Sequence, residues 1–75
     1  MAFENKSQTE LLQLLNAGAA FSLNVGRKSQ TELLQLLNAT KAGGGHLTLL
    51  ELGPKSQTEL LQLSNAGKGH ITFPG

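Results

Sequence analysis

The twelve-residue string KSQTELLQLLNA occupies Lys6–Ala17, returns unchanged at Lys28–Ala39, and returns again at Lys55–Ala66 with Ser64 in place of a leucine. An internal repeat constrains a chain more tightly than its composition does. Each copy is one supersecondary unit that cannot bury its apolar side alone and must stack on its neighbours. The copies start 22 and 27 residues apart, which leaves room for one helix, one short strand and the turns between them. Near-identity at this range implies recent duplication or construction from a consensus unit. The units are read as 6–27, 28–54 and 55–75, within a single domain spanning 1–75.

Each copy opens on a helix start. Ser7 stands three residues before Glu10, Ser29 before Glu32, and Ser56 before Glu59. This is the capping-box spacing, in which the serine oxygen and the glutamate carboxylate satisfy each other's free backbone N–H groups. Leu11, Leu12, Leu14, Leu15 and Ala17 then form one wide apolar stripe, with Gln8, Glu10, Gln13 and Asn16 on the other side. By this reading Gln30 is a solvent-side residue whose loss is nearly neutral, whereas Ser29 is a cap. Gly18 and Gly67 sit where a left-handed closing residue belongs. The second copy runs on through Thr40-Lys41-Ala42 to Gly43, Gly44 and Gly45, so its helix is expected to be up to a turn longer.

A short strand follows each helix. Phe21-Ser22-Leu23-Asn24-Val25 and His70-Ile71-Thr72-Phe73 alternate as half-buried strands do. The stretch from His46 to Leu52 begins in the same pattern and loses it at Leu49-Leu50, where a bulge would restore it. Phe3, Val25 and Leu52 each lie three residues before a repeat lysine. Phe3 is therefore read as the end of a truncated strand. Phe73-Pro74-Gly75 stops where the next lysine would stand, as if cut on a repeat boundary.

A helix of about 11 residues is roughly 16 Å long, and a five-residue strand is about 17 Å, so the two elements match. Short connections make successive units neighbours, and strand–helix–strand order demands parallel strands with right-handed crossovers. The expected fold is α/β: three helix-strand repeats forming a small parallel-sheet solenoid with the helices on one face. Strands sit about 4.8 Å apart and helices 8–10 Å apart. Such a sheet must curve, or admit strands of a second chain. Its other face would carry Ser22, Asn24, His46, Thr48, His70 and Thr72, and parallel sheets are seldom left open. Over KSQTELLQLLNA and each following strand, the arrangement resembles leucine-rich repeats and similar short α/β solenoids in architecture. It also looks like short tandem repeats of uncharacterised bacterial proteins. The leucines fall in the helix as L-L-x-L, so the usual L-x-x-L-x-L-x-x-N signature is absent. The resemblance implies an interaction surface and brings no catalytic residue or ligand.

Composition narrows the function. The formal net charge is +1, there is no tryptophan or tyrosine, and the three phenylalanines are far apart. Neither a nucleic-acid partner nor a membrane surface is expected. There is no cysteine, hence no disulfide and no zinc-type Cys/His cluster, and no cofactor is predicted. Met1 to Lys6 lacks the regions of a secretory signal, which leaves the cytoplasm as the default. His46 and His70 precede the same strand pattern and could share a metal ion, but a third ligand is missing, and the simpler reading is two solvated strand residues. The glycine tracts lead out of helices rather than into them, the reverse of a phosphate loop. The Lys-Ser pairs at the helix starts could attract an anion, but the capping boxes already occupy the free N–H groups. With no nucleophile, base and orienting group together, the chain is not expected to be an enzyme.

Small size points to association. A chain this short buries only about 60% of its unfolded surface. The expectation is a structural, self-assembling repeat protein that forms a homo-oligomer or filament through open strand edges and the exposed sheet face. The contact residues would be Phe3, Ser22, Asn24, His46, Thr48, His70, Thr72 and Phe73. The alternative is a solenoid scaffold binding a peptide or small ligand on the open sheet face. Ser64 is expected to mark an exposed end of the stack.

Overall fold

The computed structural model describes residues 6–73. Phe3, Pro74 and Gly75 lie outside them. Along the chain run α1 (Gln8–Asn16), β1 (Ala20–Asn24), α2 (Gln30–Gly43), β2 (His46–Leu50), α3 (Gln57–Gly67) and β3 (Ile71–Thr72).

All three helices begin at the predicted capping boxes. Ser7 Oγ accepts from the Glu10 N–H at 3.1 Å while Glu10 Oε1 accepts from the Ser7 N–H at 2.9 Å. The same pair of bonds measures 3.2 and 3.0 Å at Ser29–Glu32, and 3.2 and 3.0 Å at Ser56–Glu59. The helix ends differ. Gly18, just beyond α1, has the expected positive φ of 93°. α2 is longer than α1, as its missing early glycine predicts, but by more than the one turn expected, 14 residues against 9, and it closes on Gly44 at φ 79°. In α3 the expectation shifts by one residue: Gly67 is the last helical residue, and the left-handed cap is Lys68 at φ 42°. Gly67 is packed so closely on Ile71 that a Cβ there would run into the Ile71 side chain.

The strands form one parallel sheet in the order β1-β2-β3. Phe21, Leu47 and Ile71 are in register, as are Leu23 and Leu49. The bulge expected at Leu49-Leu50 is absent. Leu49 pairs with Leu23 and Leu50 with Asn24 without interruption. Alternation simply continues, so that Leu50 faces outward and is 40% exposed. The break comes after the strand, where Glu51 takes a φ of 58° and Leu52 turns back onto the core. Direct pairing of β2 with both neighbours leaves no gap for a strand of a second chain.

One apolar core fills the space between helices and sheet. It joins Leu11 and Leu15 of α1, Leu33, Leu36 and Leu37 of α2, and Leu63 of α3 to Leu23, Leu47 and Leu49 of the strands. Each fully buried leucine stabilises the fold by roughly 1.5–3 kcal/mol relative to exposure. α2 packs against both α1 and α3, so the helices lie in chain order above the strands. The single buried polar side chain among the described residues, Thr40, donates its hydroxyl to the Leu36 carbonyl at 2.7 Å.

The glycine tract after α2 has a steric purpose beyond ending the helix. A Cβ on Gly43 would collide with the Leu15 carbonyl, and one on Gly45 with the carbonyls of Ala19 and Gly18. These two bare positions let the end of α2 lie directly on the backbone that leaves α1.

Candidate functional site

The outward sheet face is polar apart from Leu50. Ser22, Thr48 and Thr72 form one row across the three strands. Asn24 and Leu50 form the next row toward the strand ends. His46, half-buried at the start of β2, places Nε2 2.6 Å from the Thr72 hydroxyl. His70, just before β3, donates from Nδ1 to the Gly45 carbonyl at 2.8 Å. The two histidines thus tie β2 to β3 through separate partners rather than facing a common ligand. Among the described residues no three of His, Cys, Asp and Glu stand together where a metal ion could be held, and no helix is long and apolar enough to cross a membrane. Phe73 packs against the core. A charge placed there would strike the fold as well as any interface.

A second set of polar contacts lies between units in the helix layer. The Gln8 side chain donates from Nε2 to the Glu32 carbonyl at 3.1 Å and to Gln35 Oε1 at 3.2 Å. Its own oxygen accepts from Lys28 Nζ at 2.8 Å. One unit later, Gln30 Nε2 donates to the Glu59 carbonyl at 3.2 Å and to Gln62 Oε1 at 3.1 Å. Lys55 Nζ donates to Gln30 Oε1 at 2.9 Å. The two joints use the same atoms of the same repeat positions. Both amide hydrogens and the amide oxygen of each glutamine are used, which fixes the side chain's orientation as well as its place.

The residue types suit the position. The glutamine sits on the first turn, beside the capping box, where helix start and neighbour are both within reach. The lysine aliphatic stem lies along the joint with the ammonium at its tip; Lys28 and Lys55 are half-buried, whereas Lys6 is exposed. Two of the cap carboxylates, Glu10 and Glu59, are shifted toward their charged form. The Ser7 N–H, and next the Lys6 charge, keep Glu10 below its ordinary pKa, and the Ser56 N–H does the same for Glu59. Gln8, Gln13 and their equivalents read in the sequence as solvent-side residues. The one available signal was that every copy keeps glutamine there, although any polar residue would satisfy a solvated helix face.

The first unit carries a shallow pocket of about 250 Å³ lined by Lys6, Glu10, Gln13 and Leu14. These are the positions that Lys28, Glu32, Gln35 and Leu36 take in the second unit. No family model, curated protein or solved structure matches the chain.

Proposed function

We propose that the chain is a structural, non-enzymatic, self-associating module: a three-unit helix-strand solenoid, leucine-rich-repeat-like in architecture, that forms a homo-oligomer or filament. The observation that carries this reading is the repeated joint. Units one and two meet through the same glutamine clasp as units two and three. A molecule assembled by one stacking operation can extend that operation to another copy, and exposed end faces of a solenoid are adhesive. β3 adds an edge, since its only strand partner among the described residues is β2, and open edges recruit strands. The polar outer face of the sheet favours contact through the ends of the stack over contact through that face.

Sedimentation across the micromolar range tests the reading. Mass rising with concentration, toward discrete oligomers or open polymers, is the expected result. A folded monomer of 7.9 kDa at every concentration would overturn it. That outcome would favour a second reading, in which the Ser22–Thr48–Thr72 row of hydroxyls receives an extended peptide or a small polar ligand.

A further inference from the structure

We infer that copies of this chain join head to tail through one particular contact, in which Gln57 and Leu61 of one copy seat on the Lys6–Leu14 side of α1 in the next. This deepens the self-association reading and rests on it.

The two ends of the helix layer are the two halves of the internal joint. Gln57 is the third member of the series Gln8, Gln30, Gln57. The first two are half-buried and fully bonded to the following unit; Gln57 is exposed and bonds to nothing among the described residues. One helical turn on, on the same side, Leu61 is 52% exposed. Its equivalents Leu12 and Leu34 are partly buried against the core. Ordinary amphipathic design explains neither feature, because the same residues are spoken for wherever a further unit follows.

The opposite end offers the receptor. In each internal joint the receiving side supplies a glutamate carbonyl, a glutamine side-chain oxygen and a lysine ammonium, with a buried leucine next to the glutamine in the chain. At α1 those positions are Glu10, Gln13, Lys6 and Leu14, and together they line the open pocket. Leu36 and Leu63, which correspond to Leu14, are completely buried; Leu14 is only half-buried. Seating Gln57 there would give its amide hydrogens the Glu10 carbonyl and Gln13 Oε1, give its oxygen the Lys6 ammonium, and bring Leu61 onto Leu14. A second copy is the occupant because the internal joints already show this surface filled by this repeat. Such a contact joins two different surfaces, so it propagates into a filament or closes into a ring.

The test separates the two sides. Leu61→Lys blocks the donor side and Leu14→Lys the receiver side, and circular dichroism with thermal melts confirms that each variant is folded. Each variant alone is expected to sediment as a monomer, with self-association weakened at least about tenfold, because each places a charge in the joint. Mixed in equal amounts, they are expected to form a dimer, since the mixture still holds one intact donor side and one intact receiver side. If the parent protein associates and both variants associate equally well, the contact lies elsewhere; self-association stands and this inference falls. If folded variants are monomeric alone and remain so when mixed, the joint is not head to tail, and the inference falls again. A parent that never associates removes both readings.

Discussion

Glutamine at the first turn of each helix makes the clearest claim about single residues. Gln30 makes two donated bonds and one accepted bond across a unit boundary, while Gln57 in the identical sequence context makes none among the described residues. Local sequence therefore cannot distinguish the two, and any difference between them comes from the neighbouring unit. In dilute solution, where copies are apart, Gln30→Ala is expected to cost about 1 kcal/mol, the net worth typical of intramolecular hydrogen bonding. Gln57→Ala is expected to stay within about 0.5 kcal/mol of the parent, as surface substitutions do. Urea denaturation of the two variants measures both. Equal losses would mean that the amide acts within its own helix, for instance on the capping box, and not across the joint.

At the scale of the element, the starts of α1 and α3 carry a pH dependence. Glu10 and Glu59 have folded-state pKa values below the ordinary 4.5 because serine N–H groups and adjacent lysines favour the charged form. A depressed carboxylate pKa contributes stability that is fully present above the unfolded value and is lost as pH falls through the folded one. Melting temperature should therefore decline as the solution is acidified below about pH 4.5, and a Glu10→Gln, Glu59→Gln variant should decline less. Parallel curves for parent and variant would remove the caps from the account. These helix starts were legible in the sequence, as were the longer α2 and the alternation of β1, because capping and period are local rules. The missing bulge was not. Two adjacent leucines in a strand look like a slip in register, and only the pairing of Leu50 with Asn24 reveals one leucine simply left facing outward. The left-handed residue of α3 was placed one position early: Gly67 is helical and Lys68 takes the positive φ. The clasp was invisible because its partners lie 20 to 32 residues apart, and polarity alone does not say whether a side chain meets water or a neighbour.

For the whole molecule, the decisive dimension is how closely the units approach one another. Gly43 and Gly45 bring the end of α2 onto the backbone of residues 15–19 with no room for a side chain. Gly43→Ala should accordingly cost about 2–3 kcal/mol, in the range of overpacked cores, with guanidinium denaturation as the measure; a variant as stable as the parent would put α1 and α2 farther apart than described. The same contact settles a question that repetition raises. Three nearly identical segments with identical clasps could dock in the wrong order, with α3 taking α2's seat on α1, and the hydrogen bonds would not object. Counted from the end of the shared string, however, α2 reaches its first closing glycine at Gly43, four residues after Ala39, and α3 reaches Gly67 one residue after Ala66. In the wrong seat, the third copy would bring His70 and Thr72 to the places of Gly43 and Gly45, where bare backbone is required. The order of the units is written in the length of the middle helix, and a chain in which all three copies were made equal would lose the means of telling its own segments apart.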